Sequence, residues 1–292
     1  MLKQQSEIAI PYESHFIVPI VNKWRETSSA QFASVRLQIL QEILASRYVR
    51  EWHPPVNQNQ IDLESCDNLA TLIDNVFMTY ARNEKKQRWA DKTPGYLTHA
   101  DTLIHLFPNS KFIHLVRDGR DASLSLLRTH FGPNNFLSAI QNWDRNVRIA
   151  RKMLAMLGSK QRMELRYEDL VSEPQINLKT VCDFLEIEFQ PEMLENFRED
   201  VESRVGDRVH SHHSNLLQPL NASSCYRWKH ELGKADQHIA WNVAGNLLTE
   251  LGYEQGKRCS IASREIRRAI HRCRALLGSR SSTQKATAKI NK

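Results

Sequence analysis

Between Ser34 and about Tyr48, the apolar residues Val35, Ile39, Leu40, Ile43 and Leu44 recur at helical spacing. The segment therefore predicts an amphipathic helix, which Trp52-His53-Pro54-Pro55 stops. Leu69, Leu72, Ile73, Val76, Phe77 and Tyr80 repeat the i, i+3, i+4, i+7 pattern and predict a second helix. Both are expected to cover a sheet. The run Lys111-Phe112-Ile113-His114-Leu115-Val116 is short, largely apolar and followed at once by Arg117-Asp118-Gly119. It reads as a buried strand ending at a turn, with a helix from about Arg120. A helix bearing Trp143, Val147, Ala150, Met153 and Leu154 on one side comes next, then the alternating Met163-Glu164-Leu165-Arg166-Tyr167, a strand. Ser172 with Pro174 two residues on signals a further helix start, and Leu178, Val181, Cys182 and Leu185 supply its apolar face. Such alternation specifies an α/β fold with a parallel sheet flanked by helices. Ligands on such sheets sit at the carboxyl ends of strands, where Arg117 falls.

The 292 residues, 41% hydrophobic and 25% charged, suit a globular body with a sizeable core. No apolar run approaches a membrane-spanning length, and Met1-Leu2-Lys3-Gln4-Gln5 lacks a signal peptide's apolar stretch, so a cytoplasmic location is expected. Cys66, Cys182, Cys225, Cys259 and Cys273 are scattered and odd in number, which argues for reduced thiols over a disulfide framework or zinc site. The histidines His210, His212 and His213 have no acidic or thiol companions, and no metal is expected.

Charge changes the picture at one end only. The net +7 is carried by residues 257–292, where eleven Lys or Arg face the single acid Glu265, giving +10 and leaving −3 for the body. The expected organisation is a domain over 1–256 and a basic tail over 257–292, with no nucleic-acid partner. Within the tail, Ile266, Ala269, Ile270, Cys273 and Leu277 line one face of a candidate helix over 263–277 that would touch an anionic membrane surface or a partner. A solvated extension is the alternative.

The segment from Arg88 to Leu127, RWADKTPGYLTHADTLIHLFPNSKFIHLVRDGRDASLSLL, resembles the sulfotransferases that use 3′-phosphoadenosine 5′-phosphosulfate as donor. In that family the arginine ending the strand and a serine eight residues later bind the donor's 3′-phosphate; here these are Arg117 and Ser125. A guanidinium bonds two phosphate oxygens and a hydroxyl in the next helix reaches a third, so the pairing is chemically sensible. Arg117 paired with Asp118 or Asp121 is the alternative, and Arg120 and Ser123 are secondary candidates.

Arg166-Tyr167-Glu168-Asp169-Leu170 resembles the family segment whose tyrosine contacts adenine, implicating Tyr167, and Arg227-Trp228 resembles a segment lying by the donor, implicating Arg227. Glu7 to Phe16 resembles the tyrosylprotein-type and related bacterial members, in which a glutamate at the position of Glu13 is the base. Lys92, in Asp91-Lys92-Thr93-Pro94, stands where the family places a cation near the reacting centre; a salt bridge to Asp91 or Asp101 is its alternative. Pro94 follows where the small-molecule branch has a histidine base, and His99 and His105 fit helix positions.

The resemblance implies a P-loop-NTPase-like fold, N-terminally truncated, because the family's first strand and phosphosulfate-binding loop have no counterpart in the sequence. The expected function is sulfuryl transfer to a hydroxyl or amine acceptor, dependent on that loop. The alternative is a non-catalytic nucleotide-binding or interaction protein. A kinase of the wider phosphate-loop group fits the alternation but lacks G-x-x-x-x-G-K-[ST].

Overall fold

A computed structural model describes residues 1–129, 131–195 and 222–255. The chain divides into two compact units, one of Met1–Val116 with Asn146–Ala222 and one of Arg117–Arg145 with Ser223–Lys292. The expected tail helix over 263–277 and the cluster His210, His212 and His213 lie outside the described residues.

Among the described residues, the first unit holds four strands in two parallel ladders. β1 (Ile8–Ala9) pairs with β2 (Arg88–Trp89), and β3 (Phe112–Val116) pairs with β4 (Arg162–Arg166). Register in the second ladder sets Ile113 against Met163 and Leu115 against Leu165 on one side, where Leu115 stays exposed and the other three are packed. That side joins a core of Ile8, Leu165, Leu178, Val181, Cys182 and Leu185, the last four supplied by the helix Pro174–Leu185 on the face its periodicity marks out. This helix starts at Pro174 as expected, because a proline's missing N–H costs nothing in a first turn.

The two N-terminal helices depart from expectation. α1 (Ile17–Trp24) and α2 (Ser29–Ala45) precede α3 (Leu69–Asn83), and together these helices bury Ile39, Leu40, Ile43, Leu72, Ile73 and Phe77 around Trp52. Only Ala9, among the buried residues of this cluster, comes from a strand. They therefore build a largely helical core of their own instead of simply covering a sheet. Trp52, placed where the sequence signals only a stop, is fully buried, with its ring 5.1 Å from Phe77 and 5.4 Å from Tyr80. α2 also begins five residues before the expected Ser34. The cause is a capping box in which Ser28 and Gln31 satisfy each other's backbone amides, and Asn68 with Thr71 does the same for α3.

In the second unit, α4 (Gly119–Leu127) packs with the helix Lys234–Glu250 and with the one-turn helix Trp228–Glu231. Among the described residues no helix is long and apolar enough to cross a membrane.

Candidate functional site

Parallel pairing explains how residues 79 apart in sequence meet. Ile8 lies opposite Arg88 and Ala9 opposite Trp89, and the two chains continue together past their strand ends. Ser14 N donates to Thr93 Oγ1 at 2.9 Å, and one residue back on each chain Lys92 Nζ donates to Glu13 Oε1 at 2.6 Å. The other carboxylate oxygen, Oε2, lies 2.8 Å from His15 Nε2. Glu13 and Lys92 are thus brought together, and Lys92 takes Glu13 as its ion-pair partner. Burial pushes the Glu13 carboxyl up, but the hydrogen bonds and charges of Lys92 and His15 outweigh it and hold the group below its ordinary range.

A buried polar network supports this pair from below. Ser14 Oγ and Tyr96 OH share a hydrogen bond at 3.0 Å, Tyr96 OH accepts from Ile17 N at 2.8 Å, and Thr93 Oγ1 donates to Asp91 Oδ1 at 3.2 Å. Burial drives the Asp91 carboxyl up to about 6, against opposing hydrogen bonds from Thr93 and Ser14. A raised folded-state value means that the folded chain binds the proton more tightly than the unfolded chain, so Asp91 costs stability as pH rises through the interval up to about 6. Relative to Asp91→Asn, the natural chain should lose about 1–3 kcal/mol between about pH 4 and pH 7. Urea denaturation of both proteins across that range checks this, and a pH-independent difference would contradict it.

The second unit contains the Arg-Asp-Gly-Arg-Asp turn. Arg117 directly follows β3 in sequence, and its Nη2 donates to the Ser224 carbonyl. Asp118 caps α4, accepting from Arg120 N at 2.9 Å. It also takes the Arg120 side chain in a two-pronged pair, Nε to Oδ1 at 2.9 Å and Nη2 to Oδ2 at 2.6 Å. Arg120 is 1% exposed, stacks 3.5 Å above the Trp228 ring and donates from Nη1 to the Glu254 carbonyl at 2.9 Å. This secondary phosphate candidate is therefore a buried scaffold residue, and Asp118 already occupies part of the helix N-terminus. Gly119 is required sterically, since a β-carbon there would lie 2.4 Å from the Trp143 ring.

Asp121 Oδ1 accepts from Trp228 N at 2.8 Å, which ties the Arg-Trp segment to α4. Burial and the neighbouring Asp118 raise the Asp121 carboxyl despite the opposing bond from Trp228 and charge of Arg117. Ser125 is half-buried in the second turn of α4, and Ser123 Oγ is buried without a hydrogen-bond partner among the described residues. Arg227 grips Glu231 with Nε and Nη2, both at 3.0 Å, and Arg128 donates to the same carboxylate at 2.9 Å. In this arrangement the fork of Arg227 is engaged by protein.

Tyr167, in the first unit, directly follows β4 and opens the short helix Tyr167–Ser172, half-buried. His99 and His105 sit in helical turns as expected, with His105 Nδ1 2.8 Å from the Asp101 carbonyl. Among the described residues no group of three or more His, Cys, Asp or Glu is placed to hold a metal. Sequence reasoning missed His15, Tyr48 and the Asp118–Arg120–Trp228 stack. The Glu13-Ser14-His15 spacing held a signal for the first, whereas the stack joins residues over a hundred positions apart.

A model described as the sulfotransferase family matches residues 1–191. This chain belongs to the sulfotransferase family. Among family relatives, protein-tyrosine sulfotransferase A of Caenorhabditis elegans is 24% identical over 183 residues, 59% of this chain and 46% of the relative. The protein-tyrosine sulfotransferase of Drosophila melanogaster is 24% identical over 180 residues, 59% of this chain and 36% of the relative. The chain thus spans less than half the length of these curated relatives. In fold it is similar to the sulfotransferase domain from the curacin biosynthetic pathway, with a TM-score of 0.55 and 20% identity over 87% of this chain and 91% of that one. The sulfotransferase domain from the Synechococcus PCC 7002 olefin synthase gives a TM-score of 0.56 and 21% identity over 84% and 87%. Both likenesses establish the P-loop-NTPase-like α/β fold expected from the sequence.

Proposed function

We propose that the chain takes part in sulfuryl transfer from 3′-phosphoadenosine 5′-phosphosulfate to a hydroxyl or amine acceptor. The observation that carries this reading is the Glu13–Lys92 pair at 2.6 Å, which sets a carboxylate and an ammonium side by side at the carboxyl ends of two parallel strands. Glu13 is the base that takes the acceptor proton, and Lys92 compensates charge growing on the leaving phosphate. Arg117 and Ser125 hold the 3′-phosphate, and Tyr167 offers its ring to the adenine. Arg227 has a lesser part, because binding a phosphate requires its fork to leave Glu231.

A cytoplasmic setting belongs to the same proposal; it is supported by Cys66 and Cys182, which are buried as thiols. The test is incubation with sulfur-labelled donor and a panel of tyrosine-containing peptides, carbohydrates and small metabolites bearing hydroxyl or amine groups. Label in an acceptor supports the reading. Nucleotide binding without transfer to any acceptor would favour a non-catalytic binding protein.

A further inference from the structure

Glu13 is paired twice, and its two partners are held with different firmness. Lys92 meets Oε1 from the end of a flexible four-carbon stem and is 70% exposed. His15 meets Oε2 from a built position. Its ring packs on Tyr48, with centroids 4.1 Å apart and planes at 32°, and Tyr48 lies in the one-turn helix Arg47–Arg50. The His15 backbone is left-handed at φ 51°, a conformation that a β-carbon disfavours, and this turn between β1 and α1 returns the ring to the carboxylate two residues earlier. Four groups of one unit therefore meet: an exposed lysine, a part-buried carboxylate, an imidazole and an aromatic backing.

In the observed arrangement the ion pair occupies the oxygen that a base would use. A lysine that serves the leaving phosphate has to release Glu13, and a carboxylate without a second partner would then be free to rotate. We propose that His15 is a positioning residue for Glu13: backed by Tyr48, it fixes Oε2 so that Oε1, vacated by Lys92, faces the acceptor. This rests on the reading of Glu13 as base. The acceptor's hydrogen passes to Oε1 and the acceptor oxygen or nitrogen bonds to sulfur. The bond from sulfur to the phosphate oxygen breaks, its electron pair staying on the phosphate. His15 keeps its own proton throughout. Its Nε2 carries hydrogen in this contact, because a carboxylate oxygen only accepts.

The charged and titratable groups facing Glu13 are Lys92 and His15, and each draws the carboxyl downward against burial. Removing the imidazole therefore moves the Glu13 titration to higher pH. His15→Gly suits the left-handed backbone and deletes the ring without adding strain, whereas His15→Gln keeps an N–H donor near the position of Nε2. Two measurements are needed: initial rates with labelled donor across pH, and carbon-13 NMR titration of the Glu13 carboxyl, which requires neither donor nor acceptor.

For His15→Gly the expected result is a kcat about 10-fold lower or less, with the donor KM within about 2-fold. The acid limb of kcat and the carboxyl midpoint both move to higher pH, and His15→Gln restores most of each. Wild-type kcat with an unmoved midpoint in His15→Gly overturns the inference. If Glu13→Gln loses turnover while His15→Gly keeps it, the base reading stands and this inference alone fails. If Glu13→Gln keeps wild-type turnover, the base reading itself fails. In a preparation that transfers no sulfate, the carboxyl titration decides the contact, and an unmoved midpoint overturns it.

Discussion

Glu13→Gln should lower kcat for sulfuryl transfer by about 100-fold or more while leaving the donor KM near its natural value. The amide matches the carboxylate in size and still accepts from Lys92 through its oxygen, so the local fold should survive. What it loses is the ability to take a proton as the acceptor attacks sulfur. Donor binding is assigned to other residues, which is why the loss should fall on kcat. Because Lys92 and His15 hold the carboxyl below its ordinary range, Glu13 is ionised throughout the neutral region, and the natural protein should keep its base active well into mild acid. Initial rates with labelled donor measure this. Rates unchanged in Glu13→Gln would reduce Glu13 to an ion-pair partner of Lys92.

Arg120→Met should destabilise the second unit by about 3–5 kcal/mol, because it removes the cation of a buried, two-pronged ion pair. Asp118 is fully buried and Arg120 is 1% exposed, so neither charge has solvent to fall back on. The substitution also deletes the stack on Trp228 and the bond to the Glu254 carbonyl, two contacts that secure the ends of the segment around the Arg-Trp motif. A double variant, Asp118→Asn with Arg120→Met, should recover a substantial part of the loss, since the amide needs no counter-ion and still caps the helix. Urea denaturation followed by tryptophan fluorescence reports the difference. A loss under about 1 kcal/mol would show that the pair is dispensable.

The elements legible in the sequence are those governed by local pattern. The strand at Phe112–Val116, the strand at Arg162–Arg166 and the helix at Pro174–Leu185 fall where alternation, apolar runs and proline place them. The start of α2 was not legible from apolar periodicity, because Ser28 and Gln31 set it through side-chain capping outside the apolar stripe. The helical core around Trp52 was equally hidden: one tryptophan beside two prolines reads as a stop, and its burial depends on partners far away in sequence, such as Phe16 and Tyr80.

Glu13 and Lys92 could be named from resemblance, but their contact follows from the parallel register of β1 and β2, two strands of two residues each, too short to be read from sequence. Arg120 is a buried scaffold residue that its sequence position does not reveal. An arginine beside a candidate phosphate residue looks ligand-facing until the fold turns it inward against Asp118 and Trp228.

The most direct test of the account is a calorimetric cycle pairing the natural chain and Arg117→Ala with adenosine 3′,5′-bisphosphate and adenosine 5′-monophosphate. A charge-assisted contact between Arg117 and the 3′-phosphate predicts that the substitution weakens bisphosphate binding by about 1.5–3 kcal/mol and leaves monophosphate binding almost unchanged. Equal losses for both nucleotides, or a natural chain that does not distinguish them, would contradict it.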